Sequence, residues 1–108
     1  MNAQEKSASE QMHARGERTV LRLQKKIGLT LFRYTVGERR LNNKEKKDLP
    51  TFTYSVYVEY ESEGHTSCGF ITDFANDKER TVTFCKQLAR ELVTPLSLPF
   101  IYEDSLTP

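Results

Sequence analysis

Three side chains in the second half of the chain could bind a metal ion: His65, Cys68 and Cys85. Imidazole and thiolate are ligands that zinc prefers, but a structural zinc site needs four ligands, and the sequence offers no further cysteine and no histidine near His65. Positions 65 and 68 also differ in strand parity, so their side chains point to opposite faces unless His65 lies in the turn. We therefore expect no metal and no cofactor, and we interpret both cysteines as buried core residues.

Two pairs of neighbouring carboxylates have the residue types of general acid–base catalysis: Glu59 with Glu61, and Glu103 with Asp104. Such catalysis needs a pKa that is shifted by burial or by enforced closeness of charges. Glu59 and Glu61 share the polar face of a predicted strand, where water would surround them. The sequence also has no nucleophile elbow, phosphate-binding loop, dinucleotide motif or zinc-protease motif. We expect a protein that is not an enzyme.

The densest basic segment, residues 38–50, could contact nucleic acid or an acidic partner. Its five basic residues are Arg39, Arg40, Lys44, Lys46 and Lys47. Three carboxylates lie among them and lower the net charge. The segment also lacks the stacking aromatic residues and the recognition helix that specific nucleic-acid binding uses. We favour a solvated polar loop, with such a contact as the alternative.

Charge is divided unevenly along the 108 residues, although the formal net charge is only +1. Residues 1–50 contain 12 basic and 6 acidic side chains, whereas residues 51–108 contain 4 and 9. Such a split can create a basic surface for an acidic partner, or it can simply favour solubility.

No segment has the length and apolarity of a membrane span or of a secretory signal. We expect a cytoplasmic protein with reduced thiols.

The chain divides into a polar arm and one folded domain. Residues 1–16 contain few large apolar side chains and are predicted to be a flexible arm. Residues 17–108 are predicted to form a single α+β domain, because a chain of this length has room for one core. In residues 17–27, Val20 and Leu23 begin a helical spacing that predicts a short N-terminal helix.

Three strands are predicted after that helix. Residues 29–36 are β-branched and aromatic, and Gly37 ends them. Residues 51–61 alternate apolar and polar side chains, which predicts a strand that is covered on one face only. A hairpin at 62–65 leads to the third strand, residues 66–72. Cys68 and Phe70 are its expected core pair, and Gly69 would lie on the other face.

The main helix is predicted from Asp77 to Val93, with Asn76 as its N-cap and Pro95 after its end. Its apolar stripe contains Val82, Cys85, Leu88, Ala89 and Leu92. The segment after Pro95 is too apolar for a free tail, so we expect it to pack back on the domain, with Pro99 opening a helical turn.

The predicted fold is therefore α+β: a three-stranded antiparallel sheet that is packed on one face by a C-terminal amphipathic helix, with a short N-terminal helix. Ten residues are expected to form the core: Phe52, Tyr54, Val56, Val58, Cys68, Phe70, Val82, Cys85, Leu88 and Leu92. The order helix, three strands, helix is similar to that of a double-stranded-RNA-binding domain. The turn that opens the second helix is not strongly basic, however, as phosphate contacts in that family require.

The segment 52–106 resembles a group of short uncharacterised proteins of Gram-positive anaerobes that share a domain of unknown function. The resemblance is carried by three features: the alternating strand Tyr54–Tyr60, Ile71-Thr-Asp-Phe74 leading into Asp77-Lys-Glu79, and the exit Thr94-Pro-Leu-Ser-Leu98 before Glu103-Asp104. It implies no activity.

We expect a small intracellular protein-interaction or regulatory module whose partner is another protein. The alternative is a nucleic-acid-binding module with a topology like that of a double-stranded-RNA-binding domain, which uses the basic N-terminal half. The sequence does not fix the oligomeric state.

Overall fold

A computed structural model describes residues 7–41, 51–99 and 101. It contains two helices and a sheet of four strands, which are antiparallel and adjacent in chain order. The elements are α1 (Ala8–Arg15), β1 (Arg18–Ile27), β2 (Thr30–Leu41), β3 (Thr51–Ser62), β4 (His65–Ala75) and α2 (Lys78–Arg90). The α+β class is confirmed, but the prediction of three strands is wrong. With four strands between the helices, the order also differs from that of a double-stranded-RNA-binding domain.

The predicted helix over residues 17–27 is a strand, and the N-terminal helix lies one segment earlier. The register between β1 and β2 shifts between Thr19 and Leu21, so that Val20 is an extra residue in a bulge. Val20, Leu21 and Leu23 all pack against the core, which breaks strict alternation and imitates a helical spacing. Gly28 has a φ of 61° and belongs to the turn between β1 and β2.

The helix α1 has local signals at both ends. Ser7 is its N-cap and accepts a hydrogen bond from the backbone N–H of Glu10 (3.2 Å). Gly16 ends the helix in the left-handed conformation with a φ of 71°. Ala8 and Met12 are buried against the sheet, so part of the segment predicted to be a flexible arm packs on the folded domain.

The central strands follow the predicted alternation most closely. Strand β3 spans Thr51–Ser62, which confirms the prediction over 51–61. Strand β2 continues past Gly37 to Leu41, so part of the predicted polar connection is strand, and residues 42–50 lie outside the described residues. Val36 of β2 pairs with Val56 of β3, and both are buried on the α2 side of the sheet.

The main core lies between the sheet and α2. Tyr54, Val56, Val58, Cys85 and Leu88 are buried there as predicted, and Phe52 is partly buried against them. Helix α2 is capped by Asp77, not Asn76, and its buried residues are Thr81, Phe84, Cys85, Leu88 and Ala89. Val82 and Leu92 are only partly buried. Phe84 is buried on the core side of α2, where Val82 was expected, and its ring stacks on Phe74 with the ring centroids 4.6 Å apart.

The predicted face of β4 is wrong. Cys68 and Phe70 point away from the main core, and Phe70 is 49% exposed. Gly69 lies on the core face, where Pro95 crosses the strand so closely that a Cβ at position 69 would be 2.9 Å from the Cα of Pro95. An absent side chain at Gly69 is therefore what lets the segment after α2 approach the sheet.

The segment after α2 packs back on the domain, as predicted. Leu98 is fully buried, and Pro99 lies in a helical turn with Leu98 and Ile101. The Tyr34 hydroxyl donates a hydrogen bond to the carbonyl oxygen of Val93 (2.9 Å). Among the residues described, no helix has the length and apolarity to span a membrane.

Candidate functional site

The second face of the sheet, which faces α1, is polar and nevertheless buried. On β3 the alternation places Thr53, Ser55, Tyr57 and Glu59 on this face, and all four are buried. The expectation of a sheet covered on one side only is wrong, because α1 covers this second face. Glu59 is 6% exposed and accepts a hydrogen bond from the backbone N–H of Ala8 (3.2 Å), whereas Glu61, nearer the β3–β4 turn, is exposed.

A glycine in the middle of β2 makes room for contacts between α1 and the sheet. A Cβ at Gly37 would lie 3.0 Å from Cε of Met12 and 3.3 Å from Cδ of Glu17. The side chain of Glu17 is fully buried at this place and accepts a hydrogen bond from the Tyr57 hydroxyl. Burial, together with the bond to Glu17, raises the pKa of the Tyr57 hydroxyl.

Asp73 gathers four groups from three parts of the chain. Its carboxylate accepts hydrogen bonds from Arg15 (3.2 Å), Arg39 (3.1 Å) and the Thr53 hydroxyl (3.2 Å). Its backbone N–H donates to the hydroxyl of Ser55 (3.0 Å). Asp73 has a φ of 53° and lies where the register of β3 and β4 shifts, a conformation that Asp tolerates better than most residues.

The neighbours of Asp73 determine the direction in which the pKa of its carboxyl shifts. Burial alone would raise the pKa of the Asp73 carboxyl, but the hydrogen bonds from Arg39 and Thr53 and the charge of Arg15 outweigh burial and lower it. Arg15 also lies 3.7 Å from the carboxylate of Glu17. The two guanidinium groups and two carboxylates thus balance in charge and join α1 to β2, β3 and β4.

A second feature is the open edge of the sheet at β1, which we call the basic edge. Its four basic residues are Arg18, Arg22, Lys25 and Lys26, and β1 contains no carboxylate. All four side chains are exposed. Arg18 forms an ion pair with Glu38 (2.6 Å), and Arg22 donates to the Ser9 hydroxyl (3.3 Å). Because β1 stands at the end of the strand order, its outer main-chain groups face no described strand.

The five basic residues of the predicted contact segment do not form one described surface. Arg39 lies on the α1 side of the sheet and is bound to Asp73, whereas Arg40 is exposed on β2. Lys44, Lys46 and Lys47 lie outside the described residues.

The candidate metal ligands are not brought together. Cys85 is buried in the main core, Cys68 packs on the opposite face of the sheet, and His65 is exposed at the start of β4. Within residues 7–41, 51–99 and 101 there is no group of three or more side chains that could hold a metal ion. Burial raises the pKa of the Cys85 thiol to about 12. Glu103 and Asp104 fall outside the described part of the chain.

Four residues that join α1 to the sheet are not among the predicted site residues: Arg15, Glu17, Tyr57 and Asp73. Two local signals were present. An aspartate among the apolar residues 70–74 is a residue type that tolerates the left-handed backbone conformation better than most. The spacing of Ser7 and Glu10 before Gly16 also has the form of a capped helix.

Comparison with known proteins gives a family but no activity. No curated protein and no solved structure matches the chain. The model of the family of unknown function DUF6514 matches residues 17–108, which include the whole sheet and α2 but not α1. The chain therefore belongs to this family of unknown function.

Proposed function

We propose that this chain is a small cytoplasmic protein-interaction module without catalytic activity, and that it binds an extended acidic segment of another protein along the basic edge. The observation that carries the proposal is the position of β1: a strand of 10 residues at one end of the strand order, beside which no further described strand lies, with four basic side chains and no carboxylate.

An open edge can accept another strand because its main-chain N–H and C=O groups are not used by the sheet. The added hydrogen bonds supply affinity, and side chains beside the edge select the partner. The charges select against a second copy of β1, because pairing would place four basic residues beside four others. An acidic segment would instead bring carboxylates close to Arg22, Lys25 and Lys26.

The proposal that the module is not an enzyme is supported by the state of its most reactive groups. The Cys85 thiol is buried with a raised pKa, so it is protonated at neutral pH. The Tyr57 hydroxyl is bound to Glu17, and its pKa is raised as well. The two cysteines lie on opposite faces of the sheet and form no disulfide, which suits a reducing compartment.

The alternative of nucleic-acid binding would also use basic residues of the N-terminal half. It has less support, since Arg39, one of its five predicted contacts, is bound to Asp73. It makes a distinct prediction, because phosphate contacts release counterions and their affinity falls steeply with salt.

The test uses a labelled ten-residue peptide of alternating glutamate and threonine, titrated by fluorescence anisotropy against the full chain. We expect binding that is lost in the triple variant Arg22→Glu, Lys25→Glu, Lys26→Glu. The matched control is Lys78→Glu, Lys86→Glu, Arg90→Glu, which makes the same change in net charge at exposed positions on α2. This control should retain binding.

A second peptide separates strand addition from simple charge attraction. Methylation of alternate backbone nitrogens leaves its charge unchanged but removes hydrogen-bond donors, so it should not bind. Equal loss of affinity in both triple variants, or equal binding of both peptides, would contradict the use of the β1 edge. Tight, salt-sensitive binding of a double-stranded RNA in place of the peptide would favour the alternative.

A further inference from the structure

Helix α1 contacts the sheet with one regularly spaced face. Ala8 and Met12 are buried, Gln11 donates to Sγ of Cys68 (3.6 Å), and Arg15 binds Asp73 (3.2 Å). These positions are i, i+3, i+4 and i+7, which lie along one side of a helix. The same spacing is typical of a peptide helix that is bound in the groove of another protein.

The sheet offers this helix a complementary surface, which we call the helix groove: Gly37, Tyr57, Glu59, Cys68 and Asp73. At one end, the Glu59 carboxylate accepts the N–H of Ala8, where a helix has unbonded donors and a partial positive charge. At the other end, Asp73 binds the guanidinium of Arg15. Between them, the missing side chain of Gly37 gives Met12 its place. The Glu59 carboxylate is also paired with Arg33 (3.5 Å), so the groove offers a hydrogen-bond acceptor at one end, a carboxylate for an arginine at the other, and a matching shape in the middle.

The attachment of α1 is suited to exchange. A helix of eight residues is too short to be stable by itself. Two of its side chains are buried, and the remaining contacts to the groove are polar. Gly16, in the left-handed conformation, connects it to Glu17 and β1. All five groove residues lie within the segment that matches the family model, whereas α1 lies before it.

We propose that the helix groove is a binding site for an amphipathic helix of a partner protein, one that carries a small residue, Gln, Met and Arg at positions i, i+3, i+4 and i+7. Helix α1 occupies the groove as an intramolecular ligand, and the partner helix replaces it. This surface is distinct from the basic edge, so the inference does not depend on the proposed edge binding.

The experiment measures binding of a labelled peptide of residues 7–17, held helical by a covalent staple between positions 9 and 13, which are exposed in α1. It is titrated against the full chain and against the variant Arg15→Glu. The substituted carboxylate repels Asp73 and releases α1, which hydrogen exchange over residues 8–15 verifies. Because a tethered helix competes at an effective concentration on the order of millimolar, we expect the peptide to bind the variant at least about tenfold more tightly.

Two controls test whether the peptide occupies the groove. Adding Gly37→Val to the Arg15→Glu chain fills the place of the Met12 side chain and should abolish binding. A peptide that itself carries Arg15→Glu should not bind either. Circular dichroism and urea unfolding verify that each variant folds, and Met12→Asp provides a second, independent way to release α1.

The proposal fails if α1 is released and the peptide does not bind, or if both peptides bind equally. It also fails if neither Arg15→Glu nor Met12→Asp releases α1, since the helix would then be a fixed part of the fold. Formation of dimers by the unmodified chain, with α1 exchanged between copies, would assign the groove to a second copy and overturn the proposed partner.

Discussion

Tyr57 and Glu17 form a hydrogen bond between two buried side chains, the hydroxyl of Tyr57 donating to the carboxylate of Glu17. The bond joins the centre of β3 to the residue that precedes β1. A carboxylate buried in this way depends on its donors, because the cost of removing it from water is otherwise not offset. The bond is therefore expected to contribute to stability.

Tyr57→Phe removes this donor and leaves the ring in place. We expect the free energy of unfolding to fall by about 1–3 kcal/mol, because Glu17 would stay buried with one partner fewer. Urea unfolding at neutral pH measures the change. Tyr60→Phe is the control, since the Tyr60 ring packs on Phe32 and its hydroxyl bonds to no described residue. Equal effects of the two variants would show that the bond to Glu17 is not stabilising.

Asp73→Asn should alter the dependence of stability on pH. The folded state lowers the pKa of Asp73, so its carboxylate stabilises the fold above the unfolded pKa of about 3.9, and this contribution is lost as the pH falls through the folded value. The parent chain should therefore exceed the variant in stability at pH 6, with a difference that shrinks towards pH 3. Asparagine also tolerates the left-handed backbone conformation.

Urea unfolding at a series of pH values tests this prediction. Glu61→Gln, at an exposed carboxylate on β3, is the control and should show little dependence of the difference on pH. A difference for Asp73→Asn that stays constant from pH 6 to pH 3 would mean that the two arginines do not stabilise the ionised carboxylate.

Gly69→Ala should destabilise the chain although alanine is normally better tolerated than glycine in a strand. The added Cβ would lie 2.9 Å from the Cα and carbonyl oxygen of Pro95, and backbone cannot move aside as a flexible side chain can. We expect a loss of about 1–3 kcal/mol, as for other overpacked sites. Ser67→Ala, two residues earlier on the same face of β4, is the control. A similar loss of stability in this variant would show that the contact with Pro95 is not the cause.

Leu88→Ala and Leu96→Ala form a matched pair for the main core. Leu88 is fully buried, and Leu96 is 85% exposed. Truncation of Leu88 should cost about 2–5 kcal/mol, because it leaves a cavity between α2 and the sheet. Truncation of Leu96 should change stability by less than about 0.5 kcal/mol. Thermal or urea unfolding of both variants distinguishes the two sites.

The fold was predictable where one residue pattern dominates. Strand β3 alternates without interruption, and the approximate extent of α2 and the burial of Cys85 and Leu88 follow from helical spacing. Strand β1 was not predictable from its residue pattern, because the bulge at Val20 places the neighbouring apolar residues Val20 and Leu21 against the core. The predicted face of β4 was the wrong one, because Phe70 is large and apolar and was expected in the core. The close approach of Pro95 to Gly69 depends on where the segment after α2 crosses β4, which the local sequence does not encode.

The candidate site was less predictable than the fold. Arg15, Glu17, Tyr57 and Asp73 come from four parts of the chain, and they meet only once the register of β3 with β4 and the position of α1 are fixed. The polar face of β3 was predicted to be solvent-exposed, because a polar face of a sheet usually is. Here a short helix with matching charges covers it.

The placement of the two cysteines has a practical consequence for following the motions of this chain. Cys68 packs beside Ala8 and Met12 under α1, whereas Cys85 is sealed between α2 and the sheet. Cys68 is half-buried, so a thiol reagent should modify it slowly in the folded chain and faster when the N-terminal helix lifts, whereas it should modify Cys85 only when the whole domain opens. The modification rates of the two thiols thus report separately on local opening and on global unfolding. Mass spectrometry can measure both rates in the same sample without any engineered label.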